Sequence, residues 1–207
     1  MGKSFMTTKL LGLDSESTGM AFSGKVDPKC PDPTTDIISG KQYTAISWGL
    51  VVVDMETLSI IDELYVEIKH TAPYAWEYGA EKVHGLTREH LAEHGKSRED
   101  AAVEIAEFIL KHWDIESAIS TIGHNQVTFD HWFFRQLMNE FGIMFKFANR
   151  HIDTNYLTLG VYGVEGSKEL FELFSDARGT HNALEDIKQT VEVFVKTRKL
   201  FDEILGK

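Results

Sequence analysis

Two neighbouring segments, residues 43–53 and 58–68, have the composition of β-strands, and they limit the possible folds of this chain more than any other part of the sequence. Both are rich in β-branched and aromatic residues, and the short polar stretch at residues 54–57 is typical of a hairpin connection. Residues 9–13 form an apolar run of the kind found in a buried strand. We therefore predict a three-stranded meander at the start of the fold.

After the meander, apolar residues recur at helical spacing in three segments. Residues 97–113 begin with a capping-box sequence, and residues 129–141 and 182–205 show the same period. Residues 118–122 and the neighbourhood of Ile152 are predicted to be short strands. A meander followed by helices that alternate with strands predicts a mixed sheet flanked by helices, in the α/β class.

One domain over residues 1–207 is the simplest organisation, because the chain has a typical domain length and shows no repeat or linker. The Gly- and Pro-rich stretch at residues 24–40 is predicted to be an exposed loop. Cys30 is the only cysteine, which excludes an internal disulfide and favours a reducing compartment. No apolar stretch approaches the roughly 20 residues that span a bilayer. We therefore expect a cytoplasmic protein with no membrane contact.

The charge balance limits the partners of the chain. With 21 basic and 32 acidic residues, its net charge is −11, the wrong sign for a protein that binds nucleic acid through a broad basic surface. Bound divalent cations would neutralise a cluster of acids locally and leave room for contact with a few phosphates. A nucleic-acid substrate is therefore compatible with the sequence.

Asp14 and Glu16 follow the first apolar run directly. Alternate residues of a strand project to the same face, so the two carboxyl groups are expected to point together at the end of a buried strand. Two such charges repel each other unless a cation lies between them, and oxygen ligands suit Mg²⁺ or Mn²⁺. The alternative is an acidic turn exposed to solvent.

Two further segments carry acids near predicted helix starts. Asn125 and Asp130 lie in the connection between a strand and the first turn of the next helix. His181 precedes the last helix, whose predicted N-cap is Asn182, and Asp186 follows the first turn of that helix. Each feature has a structural alternative, because acids are favoured at helix N-termini and a single histidine often serves only as a hydrogen-bonding residue.

In their order, these segments resemble the three Exo motifs of the DnaQ-like exonuclease superfamily. Residues 14–19 (DSESTG) match the first motif, residues 123–130 (GHNQVTFD) the second, and residues 181–186 (HNALED) the third, in the histidine form of the DEDDh branch. Residues 83–87 (VHGLT) look like a segment common in proofreading-type members, and residues 153–154 look like a pair that recurs after the second motif. The likeness therefore spans nearly the whole chain.

The resemblance implies a ribonuclease H-like fold of three layers, with a five-stranded mixed sheet flanked by helices. It also implies a metal-dependent 3′→5′ exonuclease that acts on a nucleic acid with a free 3′-OH end and releases 5′-mononucleotides. Two Mg²⁺ or Mn²⁺ ions about 4 Å apart would be held by four acids: Asp14, Glu16, Asp130 and Asp186. His181 would act as the base that takes a proton from the attacking water.

Four residues are implied in substrate binding. Glu16 and the backbone near Thr18 would read the terminal 3′-OH, and Asn125 would orient the penultimate phosphate. His84 would approach the terminal nucleotide, although a structural role for this loop histidine is an equal alternative. Members of this superfamily also suggest a polymerase partner or a homodimer.

For other residues, the sequence indicates contact with the substrate less strongly. Phe22 and Tyr78 have side chains that stack on bases, although most aromatic residues of such a chain belong to its core. Asp153 has a structural role as its main alternative. Four basic residues between the second and third motifs would either contact the nucleic-acid backbone or form a solvated surface: Lys146, Arg150, Lys168 and Arg178.

The identity of the substrate is open at this point. We predict DNA, and an exoribonuclease or oligoribonuclease acting on short RNA is the first alternative, because an acidic surface suits short substrates. A catalytically silent nucleic-acid-binding module of the same fold is an alternative of another class. The intact set of four acids and one histidine argues against a silent module.

Overall fold

The computed structural model describes residues 8–20, 34–36, 39–163 and 181–206. These residues contain nine strands: β1 (Lys9–Ser17), β2 (Thr35–Asp36), β3 (Lys41–Gln42), β4 (Ala45–Asp54), β5 (Ser59–Glu67), β6 (Ala118–Ile119), β7 (Thr121–Gly123), β8 (Lys146–Phe147) and β9 (Ile152–Asp153). They also contain six helices: α1 (Tyr78–His84), α2 (Arg88–His94), α3 (Arg98–Leu110), α4 (Asp130–Glu140), α5 (Thr154–Tyr162) and α6 (Ala183–Ile204). None of these helices is long and apolar enough to cross a membrane.

Five of the strands form the main sheet, in the order β5-β4-β1-β7-β9. β1, β4 and β5 pair antiparallel as the predicted meander, and β7 and β9 run parallel to β1. The connection between β4 and β5 closes through Asp54, whose carboxylate accepts hydrogen bonds from the backbone N–H groups of Glu56 and Thr57. The remaining strands form two small pairs, β2 with β3 and β6 with β8.

Helices cover both faces of the main sheet. On one face, α3 and α4 bury apolar side chains against residues of β1 and β4 such as Leu11 and Trp48. On the other face, α6 packs Ile187 and Val191 into a cluster with Val51. Each fully buried side chain of this kind contributes about 1.5–3 kcal/mol by removing apolar surface from water. The result is the predicted arrangement, a five-stranded mixed sheet flanked by helices.

Several strand boundaries differ from the prediction, because the neighbouring strands decide where pairing ends. β1 continues past residue 13 through both acids to Ser17, since β4 supplies pairing partners over this whole length. β5 begins at Ser59 because Leu58 has a φ of 53°, in the left-handed region. The predicted strand at residues 118–122 is two strands, of which one pairs with β8 and the other with β1 and β9.

The predicted loop at residues 24–40 is described only in part. Within it, Thr35–Asp36 pairs with β3, and Thr34 is buried rather than exposed. The side chain of Gln136 in α4 donates a hydrogen bond to the Thr34 hydroxyl oxygen at 2.9 Å, which explains the burial. The rest of the stretch, with Cys30, lies outside the described residues.

Candidate active site

Asp14 and Glu16 lie two residues apart in β1, at the centre of the main sheet. Both are partly exposed, whereas Leu13, Ser15 and Ser17 beside them are buried, as the alternation of a strand requires. The two acids therefore share one face, as predicted. They lie within the paired part of β1, however, and not beyond its end.

The N-terminus of α6 reaches this face because Gly49 has no side chain. Gly49 is the β4 partner of Asp14, and a Cβ atom there would lie 2.3 Å from backbone atoms of Ala183 and Leu184. Asn182 is the N-cap of α6, as predicted, and its side chain accepts hydrogen bonds from two backbone N–H groups of the first turn. The close contact with β4 brings the start of α6, and the third motif with it, beside β1.

His181 and Asp186 reach the acids of β1 through this helix start. One ligand atom from each of Glu16, His181 and Asp186 lies within 4.8 Å of the others, a spacing that could hold a metal ion. His181 is exposed and has a φ of 52°, a left-handed conformation that is more common for histidine than for most residues. This conformation places the ring outside the helix and next to its first turn.

Asp130 is the first residue of α4 and is buried. The Ser15 hydroxyl donates a hydrogen bond to the Asp130 Oδ1 atom at 2.6 Å. Burial raises the pKa of Asp130 to about 7, and the Ser15 hydrogen bond opposes this shift. An acid that only stabilises a helix N-terminus would be solvated, so the burial of Asp130 against β1 distinguishes it from that alternative.

Neighbouring acids raise the pKa values of Asp14 and Glu16. Burial raises the pKa of Asp14 well above its usual range, and the charges of three neighbouring acids raise it further. Burial, followed by the charges of Asp186 and Asp130, raises the pKa of Glu16 to about 8. Carboxyl groups that crowd in this way either keep protons or bind cations. Their oxygen atoms fit Mg²⁺ or Mn²⁺, which prefer such ligands.

Two adjoining clefts meet at Glu16. The first has a volume of about 380 Å³ and contains all four acids: Asp14, Glu16, Asp130 and Asp186. Its lining within the described residues includes no lysine or arginine. The second has a volume of about 480 Å³ and shares four residues with the first: Ser15, Glu16, Met20 and Phe129. We name these spaces the acidic cleft and the side pocket.

His84 lines the side pocket and is 8% exposed. Its Nδ1 atom accepts a hydrogen bond from the backbone N–H of Leu86 at 3.0 Å, so the neutral ring carries its proton on Nε2. Burial lowers the pKa of His84, which favours the neutral ring. Within the described residues, Nε2 has no hydrogen-bond partner. This atom is therefore a buried donor at the wall of the side pocket.

Thr18 and Asn125, the other predicted substrate residues, are held by contacts within the protein. The Thr18 side chain is buried and accepts a hydrogen bond from the Thr44 N–H, while its own N–H donates to the Thr44 carbonyl. Asn125 lines the acidic cleft, donates its backbone N–H to Asp153 and accepts a side-chain hydrogen bond from Asn155. A substrate contact stays a prediction for Asn125 and for the backbone near Thr18.

The described residues for which substrate contact was less strongly indicated lie outside both clefts or have structural roles. Asp153 is the N-cap of α5, and its side chain accepts a hydrogen bond from the Asn155 N–H. Tyr78, Lys146 and Arg150 are exposed and line neither cleft. Three further candidates lie outside the described residues: Phe22, Lys168 and Arg178.

Three residues of the cleft walls were not predicted from the sequence as site residues. Phe129, the residue before the second-motif acid, lines both clefts and packs edge-on against Phe133. On the wall of the side pocket, the Tyr43 hydroxyl donates a hydrogen bond to the Glu77 carboxylate. A Cβ atom on Gly19 would lie 2.4 Å from the Tyr43 ring, so the first motif needs glycine there. No local pattern links residues so far apart, although the glycine is a signal of close packing.

Residues 11–194 of the chain match the family model RNase_T, which is described as an exonuclease. The chain belongs to the RNase_T exonuclease family. The matched range contains all three motif segments. Among solved structures, this RNase_T exonuclease is similar to the nuclease domain of 3'hExo, a DEDDh family member bound to rAMP. The two chains are 16% identical, the similarity covers 96% of this chain and 94% of that one, and the TM-score is 0.67.

Two other structures extend the comparison. A zinc-bound E. coli ExoI–ssDNA complex is 18% identical, with a TM-score of 0.66 over 97% of this chain and 43% of that chain. The RNase_T exonuclease thus spans less than half the length of the E. coli enzyme. A full-length 3'-exonuclease is 15% identical, with a TM-score of 0.63 over 93% of this chain and 82% of that chain. A comparison with curated protein sequences gives no significant match.

The predicted family and fold are confirmed by these matches. The chain is an exonuclease, an enzyme that hydrolyses phosphodiester bonds, and it has a ribonuclease H-like fold. The DEDDh type and the 3′→5′ direction of digestion stay predictions.

Proposed function

We propose that this exonuclease removes 5′-mononucleotides from the 3′ end of DNA in a reaction that depends on divalent cations. The observation that carries the proposal is the convergence of four acids on the acidic cleft, whose described lining contains no lysine or arginine: Asp14, Glu16, Asp130 and Asp186. Such a group of crowded carboxyls is unfavourable unless cations occupy it. A nucleic-acid-binding module without catalytic activity would have no use for carboxyl groups that repel one another in this way.

The four acids would hold two Mg²⁺ or Mn²⁺ ions, which when bound activate a water molecule and stabilise charge on the departing 3′ oxygen. The charges of the other three acids all act on Asp14. We therefore propose that Asp14 binds both ions. Glu16 also borders the side pocket, where its carboxylate would accept a hydrogen bond from the terminal 3′-OH. Asp130 and Asp186 would each support one ion.

His181 would accept the proton of the attacking water. Its exposed ring lies at the edge of the acidic cleft, with a ligand atom within 4.8 Å of those of Glu16 and Asp186. The same position would also suit a metal ligand. The two roles differ in one measurable respect, because the loss of a base leaves cation affinity in place.

The side pocket would bind the nucleoside at the 3′ end. Its acidic lining residues within the described segments are Glu16, Asp36 and Glu77, and no lysine or arginine is among them, so it suits an uncharged base and sugar and rejects a phosphate. The proton on His84 Nε2 would donate to an oxygen or ring nitrogen of this nucleoside. Asn125, in the acidic cleft, would contact the next phosphate. This arrangement would require a free 3′-OH end on the substrate.

RNA is the second candidate substrate. The solved structures of related fold support DNA and RNA equally, because the E. coli ExoI complex contains ssDNA and the 3'hExo structure contains rAMP. We propose DNA, and we keep short RNA as the alternative. A polymerase partner or a second copy of the chain also stays a prediction.

The test is digestion of 5′-labelled DNA and RNA oligomers of the same sequence with Mg²⁺, Mn²⁺ or EDTA. We expect a ladder that shortens by one nucleotide at a time, release of 5′-mononucleotides, and complete inhibition by EDTA. Oligomers with a 3′-phosphate should resist digestion. A preparation of the Asp14→Asn variant that digests the oligomers at the wild-type rate would show that the acidic cleft is not the active site.

A further inference from the structure

Ser15 lies between Asp14 and Glu16 and connects β1 to the start of α4. Its hydroxyl donates to Asp130 Oδ1 at 2.6 Å, across 115 positions of sequence. Both residues are buried, at 7% and 2% exposure, so water competes little for the contact. We propose that Ser15 is a positioning residue that fixes the Asp130 carboxylate for cation binding. This inference rests on the proposed function, in which Asp130 is a cation ligand.

The contact forms where β1 extends beyond the end of its parallel neighbour, β7. On the β7 side, pairing ends at Gly12, which lies opposite Ile122, whereas β4 pairs with β1 along its full length. The N–H of Leu11 points to the β7 side and donates to the Ser120 carbonyl. Backbone donors of a strand alternate between its two edges, so the N–H of Ser15 points the same way, beyond the end of β7.

The Asp130 carboxylate meets β1 beyond this point, where its Oδ1 atom accepts the hydrogen bond of the Ser15 hydroxyl. This donor holds one carboxylate oxygen of Asp130 against the strand that carries the other two acids.

The side chain at position 15 decides this contact, because an apolar side chain leaves the Asp130 Oδ1 atom without its hydroxyl donor. Loss of a hydrogen-bond partner of a metal-binding residue typically lowers metal affinity or activity by about 10–100-fold. We expect a loss of that size in the cation affinity of Ser15 variants that lack a hydroxyl.

The test compares Ser15→Thr with Ser15→Val, which are nearly equal in size but differ in the hydroxyl, so that steric effects cancel. Mn²⁺ binding to the full chain is measured by calorimetry without nucleic acid, and the rate on labelled DNA is measured across Mn²⁺ concentrations. We expect Ser15→Val to bind Mn²⁺ about 10–100-fold more weakly than Ser15→Thr and to regain most of its rate at high Mn²⁺. Ser15→Ala replaces Ser15→Val if that variant does not fold.

Ser17→Ala is the matched control, because Ser17 is also a buried serine of β1 but donates its hydroxyl to the Gly19 carbonyl. Its Mn²⁺ affinity should equal that of the wild type, and an equal loss in Ser17→Ala would overturn the specific role of Ser15. If Asp130→Asn weakens Mn²⁺ binding while the two Ser15 variants bind alike, the inference is wrong and the proposed function is retained. If Asp130→Asn binds Mn²⁺ as tightly as the wild type, both are wrong.

Discussion

Crowded carboxyl groups are the residues that define this site. Burial is the largest cause of the raised pKa of Asp14, and the same cause raises the pKa of Glu16 to about 8. Raised pKa values favour the protonated forms of these carboxyl groups, whereas bound cations would favour their ionised forms. Cation binding and proton release are therefore linked at this site, as they are wherever ligands must lose protons to bind a metal.

Asp186→Asn removes a carboxylate that acts on both Asp14 and Glu16. We expect turnover to fall by roughly 10³-fold or more, because charge stabilisation by a metal site is worth several kcal/mol and each 1.4 kcal/mol changes a rate about tenfold. Glu185→Gln is the control, since Glu185 is the preceding residue, is exposed and lines neither cleft. Digestion of labelled DNA in Mg²⁺ measures both variants, and equal rates would remove Asp186 from the site.

His181→Ala should lower the rate by about 10²–10⁴-fold while most Mn²⁺ affinity is kept, because a general base contributes to proton transfer and not to ion binding. Single-turnover digestion gives the rate, and calorimetry gives the affinity. His94→Ala is the control, since His94 is an exposed histidine of α2 that lines neither cleft. A parallel loss of Mn²⁺ affinity in His181→Ala would make His181 a ligand and contradict its role as a base.

The proposed ligands were predictable from sequence because each lies in a short segment next to a strand or a helix start. The role of Ser15 was not, although it stands inside the first motif. The alternation of a strand assigns Ser15 to the buried face, but the residue that it meets there, Asp130, is 115 positions away. The Tyr43–Glu77 contact in the side pocket was unpredictable for the same reason.

Among the helices, the long periodic ones were predicted and the short ones were missed, whereas the short strands predicted at residues 118–122 and near Ile152 are present. The helices predicted at residues 97–113, 129–141 and 182–205 are present with ends shifted by a few residues, because their apolar period extends over three or more turns. α1 and α2 have only seven residues each, too few for a period to show. The omission matters, because α1 carries His84 and forms one wall of the side pocket.

Gly49→Ala tests the close approach of α6 to β4. The added Cβ atom would lie 2.3 Å from backbone atoms of Ala183 and Leu184, which cannot move aside as the end of a side chain can. We expect the free energy of unfolding in urea to fall by about 1–3 kcal/mol. The exonuclease rate should fall as well, because a displaced α6 carries Asp186 away from β1.

Gly160→Ala is the control for this variant. Gly160 lies in α5, and a Cβ atom there would meet nothing within 4 Å. Alanine is favoured over glycine inside a helix by about 0.5–1 kcal/mol, so this variant should be slightly stabilised and fully active. If Gly49→Ala matched it in both respects, the contact with β4 would not be what positions α6.

For the whole molecule, the layers were predictable and the side pocket was not. A meander followed by alternating helices and strands leaves few ways to cover both faces of one sheet. The side pocket combines residues of β1, β2 and α1 with Tyr43 and Phe129, and its shape depends on how those parts of the chain meet. The single domain over residues 1–207 stays a prediction.

Without divalent cations, the free energy of unfolding should fall as the pH rises. Burial raises the pKa of Glu16 from 4.5 to about 8 and that of Asp130 from 3.8 to about 7 in the folded chain. Between the lower and the upper values, the folded state keeps protons that the unfolded state has released, so the stability declines with pH and the full penalty is reached above about pH 8.

Urea unfolding in EDTA at pH values between about 5 and 8.5 measures this decline, which we expect to reach a few kcal/mol. Saturating Mn²⁺ should reverse the loss at the alkaline end, because bound cations replace the protons. Glu16→Gln should give a flatter profile, which separates the effect of the cleft from the repulsion due to the net charge of −11. A stability that rises with pH in EDTA would contradict the prediction.

The position of β1 between β4 and β7 has a consequence for how the enzyme unfolds. When a protein fluctuates, its outer segments open first and its central strands open last. Amide hydrogens near residues 10–12 should therefore exchange with deuterium only when the entire chain unfolds, whereas those of the seven-residue α2 should exchange early. Fraying of the periphery leaves the two β1 carboxylates in register. Heat should thus separate the β1 strand from its neighbours only when the whole chain unfolds.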